Sequence, residues 1–168
     1  MDNFVIREIR NDEDEIKKVQ DFLFEQIKKA YDIGPMPKFH YDILNLKDYY
    51  IVPSKNSLFL ALDGDVIIAS VAIRGYDRDY EFFKGIYTKE KTASIWRLMV
   101  DEKYRRRGLA RRLVTKAEQF AQNAGYDEIY LNTHRYLDSA LPFWDSLGYQ
   151  TTLEEDDYDE TNHLIKSL

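Results

Sequence analysis

The 168-residue chain contains no cysteine. That absence removes disulfides, thiolate zinc sites and a cysteine nucleophile together. Histidine is scarce, with three residues, and none falls in an H-E-x-x-H or comparable spacing, so no metal site is expected. The longest apolar stretch, Val66 to Ile73 with one serine allowed, is far too short to span a bilayer. Residues 1–14 contain no apolar signal core, and a cytoplasmic protein is the expectation. Glycine occurs at 34, 64, 75, 85, 108, 125 and 148 only, so neither G-x-G-x-x-G nor a P-loop can be drawn. Positive charge is also in deficit. With 24 Lys and Arg against 30 Asp and Glu, the net charge of −6 argues against nucleic acid or an anionic membrane as partner.

The composition that remains, 44% hydrophobic and 14% aromatic, is enough to bury a core, and the length suits one domain over 1–168. Residues 3–9 alternate as a short strand. Asp12 and Glu15 resemble a capping box opening a helix over 13–31, with Ile16, Val19, Leu23, Ile27 and Ala30 on one face. Gly34, Pro35 and Pro37 break the chain, and Tyr41–Tyr50 reads as helix. Strands Ser57–Leu62 and Val66–Arg74 flank the turn Asp63-Gly64-Asp65. The polar, tyrosine-rich stretch 75–92 reads as a solvent-facing excursion or a longer hairpin.

A strand over Ala93–Val100 leads through a turn to Gly108 and a strongly amphipathic helix over 109–124, closed by Gly125. Glu128–Thr133 is a strand. Asp138 or Ser139 caps a short helix with Pro142 in its first turn. Tyr149–Leu153 and Thr161–Lys166 form a last hairpin around the acidic loop 154–160, and its exposed strands offer a place for a second copy to pair as a homodimer. Strands mixed with helices and no repeat or linker give an α/β (α+β) fold.

Residues 104–112, Tyr-Arg-Arg-Arg-Gly-Leu-Ala-Arg-Arg, hold five of the arginines of this acidic chain. The segment lies between a strand and a helix start, where unpaired N–H groups and the helix dipole favour a phosphate. Gly108 keeps Cβ out of the way of an anion, and Ala110 keeps the first turn small. A solvated surface turn is the alternative reading of the segment alone.

Arg105-Arg106-Arg107-Gly108-Leu109-Ala110 resembles the R/Q-x-x-G-x-G/A signature of the GCN5-related N-acetyltransferases (GNAT). About thirty residues on, Ala140-Leu141-Pro142-Phe143-Trp144-Asp145-Ser146-Leu147-Gly148-Tyr149 resembles that family's second motif, A-h-x-h-Y-x-x-h-G-F/Y. The resemblance implies a mixed, mostly antiparallel sheet splayed between two central strands. Acetyl-CoA, as co-substrate, would lie in the split and no metal would take part. It further implies that the Arg105, Arg106, Arg107, Gly108, Leu109 and Ala110 turn holds the pyrophosphate. Leu98, Met99 and Val100 would pair with the pantetheine arm, and Asn132, Phe143 and Trp144 would line it.

The implied activity is direct acetyl transfer to an amine, with the Leu98 backbone N–H at the thioester carbonyl. Two positions depart from the family pattern. Trp144 stands where a tyrosine acid is usual, and an indole N–H cannot supply a proton near pH 7. Leu137 replaces an expected asparagine. Three readings follow: water protonates the thiolate, Tyr136 or Tyr149 serves as acid, or the chain is a catalytically silent acyl-CoA-binding module. Trp144 can equally be plain core packing. His134 is a candidate base, and Arg97 reads as an ion pair with a neighbouring strand or as a partner for an acidic substrate group. The acidic loop 154–160 could attract a cationic amine acceptor, although a solvated charge run explains it too.

Overall fold

The computed structural model describes residues 2–168. Seven strands form one sheet in the order β1-β2-β3-β4-β5-β7-β6, where β1 is Val5–Glu8, β2 Ser57–Asp63, β3 Val66–Gly75, β4 Thr92–Val100, β5 Glu128–His134, β6 Gln150–Glu154 and β7 Thr161–Ser167. All neighbours pair antiparallel except β4 with β5. The expected mixed, mostly antiparallel sheet is therefore present.

Helix α1 (Glu13–Tyr31) starts as its sequence dictates: the Asp12 carboxylate accepts from the Glu15 N–H at 2.8 Å. The reciprocal half of the box differs, because the Glu15 carboxylate reaches past Asp12 to Arg10 N and the Arg7 guanidinium. Helix α2 (Pro37–Leu44) begins earlier than the expected Tyr41–Tyr50. Pro37 occupies the first helical turn, where a missing N–H costs nothing, and the chain continues into a π-helical turn over Lys47–Ile51.

Two cores result, one on each face. Leu58, Leu60 and Leu62 of β2 meet Val19, Leu23 and Ile27 of α1 with Ile43 of α2. The alternate residues Phe59 and Ala61 face helix α3 (Leu109–Asn123), whose Leu113, Val114, Ala117 and Ala121 are fully buried. Short helix α4 (Ala140–Ser146) joins the second core through Trp144.

The stretch 75–92 forms no hairpin, and although most of its residues face solvent it is anchored to the sheet. It carries a single 3₁₀ turn, Glu81–Phe83, and its Tyr76, Phe83 and Tyr87 are buried against Tyr130 of β5. Tyrosine presents an apolar ring with a polar tip, so a tyrosine-rich segment can look polar and still pack. Gly75 permits the crossing: a Cβ there would sit 2.5 Å from the Lys89 carbonyl oxygen.

Candidate active site

Strands β4 and β5 stay paired only over Thr92–Ser94 against Glu128–Tyr130. Beyond that point the β5-facing edge of Ile95–Val100 has no strand partner, and backbone hydrogen-bonding groups are left for something else. The opening coincides with a bulge. Trp96 pairs with Ala72 and Met99 with Ser70, so β4 carries one more residue than β3 across this interval. Arg97 takes φ 52° there, and Ser70 Oγ fixes the bulge by donating to the Arg97 carbonyl at 2.8 Å. Leu98 follows the bulge and, like Met99 and Val100, is only half-buried.

The turn after β4 is tightly built. The Asp101 N–H donates to the Ile68 carbonyl, and the Asp101 carboxylate accepts from Lys103 N at 3.0 Å. Arg106 has φ 61° and Gly108 φ 75°. Left-handed backbone costs a side-chain-bearing residue roughly 1–2 kcal/mol, so glycine is the favoured occupant of position 108. No side chain caps the start of α3, and the first-turn N–H groups of Leu109 and Ala110 lack helical partners. A Cβ on Gly108 would meet nothing within 4 Å, so the space above the turn is open.

Arg105, Arg106 and Arg107 are exposed around this turn. Arg107 pairs with Asp2 at 3.3 Å, while Arg105 and Arg106 have no carboxylate within ion-pair distance among the described residues. Open main chain, an uncapped helix start and spare guanidiniums fit a phosphate-bearing group such as the pyrophosphate of a CoA ester. Arg111 is not simply solvent-facing: it donates to Ser146 Oγ of α4 at 3.0 Å and spans the mouth between α3 and α4.

The remaining candidates separate by exposure. Trp144 is buried in the α3-side core, edge-on to Phe143 and Tyr149, which is the packing reading of that residue. Tyr149 is removed as an acid. Its side chain is 1% exposed, its hydroxyl has no partner, and burial pushes its pKa far up. Tyr136 is 46% exposed in the loop after β5, stacked on His134 with an interplanar angle of 8°. Asn132 is half-buried on β5 and donates to the Tyr130 hydroxyl at 3.2 Å.

Two histidines occupy this side of the sheet in different states. His163 is fully buried. Its Nε2–H donates to Glu155 at 2.7 Å, and its Nδ1 accepts from the Tyr130 hydroxyl at 2.6 Å. His134 is half-buried and its Nδ1–H donates to the Asp159 carbonyl at 2.8 Å. A carbonyl can only accept, so the lone pair of neutral His134 lies on Nε2, which has no partner among the described residues.

A network that sequence reading missed lies on the α1–α2 face. Asp42 of α2 is 4% exposed and binds the Arg97 guanidinium through both oxygens, at 2.7 and 3.1 Å. The Arg97 partner therefore lies on a helix and not on a neighbouring strand. Asp42 also accepts from the Tyr50 hydroxyl at 2.6 Å and lies 3.2 Å from Arg74. Burial alone would raise the Asp42 pKa; Arg97, Tyr50 and Arg74 outweigh it and hold the carboxyl below its usual range. Arg74 packs over the Trp96 ring at 3.9 Å and pairs with Asp77 at 2.9 Å. Trp96 is fixed in turn by its indole N–H on Ser94 Oγ at 2.9 Å. Asp42, Arg74, Asp77 and Trp96 of this network wall a cavity of about 340 Å³, which Tyr49, Arg78 and Tyr80 also line.

Fold and site together define an α/β protein with a sheet opened between two parallel strands beside an uncapped helix start. The profile of the Acetyltransferase (GNAT) family matches residues 16–149, and the chain belongs to that family. Human N-acetylaspartate synthetase is 28% identical over 120 residues, covering 71% of this chain and 36% of that protein. The chain thus spans about a third of the length of the curated relatives it matches first. An acetyltransferase structure from Streptococcus agalactiae superposes with a TM-score of 0.78 at 19% identity, covering 100% of both chains. A Salmonella typhimurium structure solved with its cofactor acetyl-CoA gives a TM-score of 0.70 at 11% identity, covering 98% of this chain and 94% of that one. No helix among the described residues is long and apolar enough to cross a membrane.

Proposed function

We propose that this chain is one acetyltransferase domain that moves an acetyl group from acetyl-CoA to a primary amine. One observation carries the reading: an unpaired, bulged edge of β4 lies between an uncapped helix start on one side and a polar cavity on the other. The bound acetyl-CoA in the Salmonella structure supports the donor, and the name N-acetylaspartate synthetase supports nitrogen as the acceptor atom.

Acetyl-CoA supplies an activated acetyl group on a thiolate leaving group of modest basicity. Main-chain N–H groups at Gly108–Ala110, with Arg105 and Arg106, hold the phosphates. The open edge at Leu98–Val100 pairs with the extended arm, and the Leu98 N–H donates to the carbonyl oxygen as negative charge develops there. The acceptor nitrogen must be neutral to attack, and His134 Nε2 takes its proton. Net, the nitrogen gains the acetyl carbon and loses one proton, and the sulfur gains one. With Trp144 in the core and Tyr149 sealed, that proton comes from solvent or from the exposed Tyr136 hydroxyl.

The test is acetyl-CoA-dependent release of free thiol with a panel of primary amines, with the acetylated product identified by mass. Transfer is expected with at least one amine. Acetyl-CoA binding without thiol release from any of them would favour the silent acyl-CoA module that Trp144 and Leu137 raise.

A further inference from the structure

The charges around the α1–α2-side cavity cancel one another, with one exception. Arg97 and Arg74 are neutralised by Asp42 and Asp77. At the rim, Lys38 and Asp79 are exposed, one charge of each sign, and both are screened by solvent. Arg78 is half-buried and has no carboxylate within ion-pair distance among the described residues. Its Nε is buried without any hydrogen-bond partner, and its one polar contact is a long 3.5 Å approach to the Tyr80 hydroxyl. The guanidinium carbon lies 4.0 Å from the centre of the Trp96 ring, which orients the fork. With Nε sealed from solvent, the terminal N–H groups of this guanidinium are the ones that an acceptor in the cavity can reach. For a planar, oriented guanidinium that acceptor is a planar oxyanion, and carboxylate matches its two parallel N–H groups.

Trp96 is two residues before Leu98 on β4, so a ligand anchored at Arg78 starts next to the opened edge. The cavity, at about 340 Å³, is on the scale of a small metabolite. We infer that the acceptor is a primary amine that also carries a carboxylate, such as an amino acid, and that Arg78 grips that carboxylate. The inference rests on the acetyltransferase reading and reverses the expectation of a cationic acceptor. The acidic loop behind that expectation is partly committed internally: Glu155 bonds His163, and Asp157 accepts from the Thr161 N–H and hydroxyl.

The experiment measures thiol release with L-aspartate and L-phenylalanine, each against the analogue whose carboxylates are carboxamides, with putrescine as a cationic amine lacking a carboxylate. The acids should exceed their amides in kcat/KM by about 10–100-fold, the worth of a charge-assisted bond pair. Arg78→Met should bring that ratio near unity, chiefly through KM, while acetyl-CoA still raises the melting temperature. Arg78→Lys, which keeps the charge and loses the fork, should fall between. Amides or putrescine used as well as the acids, or an acid preference that survives Arg78→Met, would overturn the proposal. So would no turnover of either acid while acetyl-CoA still stabilises the protein, an outcome that leaves donor binding standing. Failure of acetyl-CoA to stabilise the native chain would remove the acetyltransferase reading itself.

Discussion

The two sides of β4 each present arginines, and they use them in opposite ways. On the α3 side, Arg105, Arg106 and Arg107 are consecutive and exposed, around a turn in which the main chain forms the grip. On the α1–α2 side, Arg74, Arg78 and Arg97 are not contiguous, sit half-buried or buried, and lie against one tryptophan. A charge in water is screened, so the exposed cluster is suited to a weak, longer-range attraction of the proposed phosphate ligand. A desolvated guanidinium interacts strongly and directionally, so the buried set is suited to choosing the acceptor.

Substitutions on the acceptor side should therefore act on chemistry and stability, and those on the cofactor side mainly on acetyl-CoA binding. The largest effect is expected at His134. His134→Gln should lower kcat by about 10²–10⁴-fold, the usual contribution of a general base, with the fold retained. His163→Gln, on a ring whose nitrogens are both committed, should change stability far more than the pH profile of kcat. A native-like kcat in His134→Gln would shift the base elsewhere.

Asp42→Ala comes next. It strands Arg97 and Arg74 without their shared counter-ion, and uncompensated buried charge costs about 3–5 kcal/mol. Urea unfolding should show that loss, and a change near zero would mean that the pocket wall does not depend on Asp42.

A smaller effect lies in pH. Burial holds the His163 pKa below its ordinary value, against the pull of Glu155. Burial and Arg97 do the same to His40, whose Nδ1 accepts from Met36 N. The unfolded chain therefore takes up protons that the folded chain refuses. Stability should fall as pH drops below about 6.5, by up to roughly 1.4 kcal/mol per pH unit for each histidine. The Asp42 contribution, set by a depressed pKa, persists until still lower pH. Urea midpoints followed from neutral to mildly acid pH should show the slope, and His163→Gln should reduce it.

The turn around Gly108 was readable in advance because its parts are contiguous. Strand, turn, Gly108 and amphipathic helix follow one another over Thr92–Asn123, and the φ of 75° at Gly108 agrees with what glycine there implies. The α1–α2 side was not readable, because Asp42, Tyr50, Arg74, Arg78 and Trp96 share no spacing and meet only once the strands and α2 pack. Local pattern also misled where a residue has two characters. Tyr76 and Tyr87 looked solvent-facing but pack on Tyr130, and Pro37 looked like a breaker but starts α2. Tyr149 looked available as an acid only because sequence does not reveal which side of the fold a ring faces.

The central claim, that the main chain at Gly108 grips the CoA ester, is tested most directly by thermal unfolding with and without acetyl-CoA. At a hundredfold over its dissociation constant the ligand should add about 2.7 kcal/mol to native stability. Arg111→Ala, which loses only the contact with Ser146, should keep that gain. Gly108→Val should lose it, beyond a cost of about 1–2 kcal/mol for left-handed backbone. No gain in the native chain at saturating acetyl-CoA, or an undiminished gain in Gly108→Val, would contradict the account.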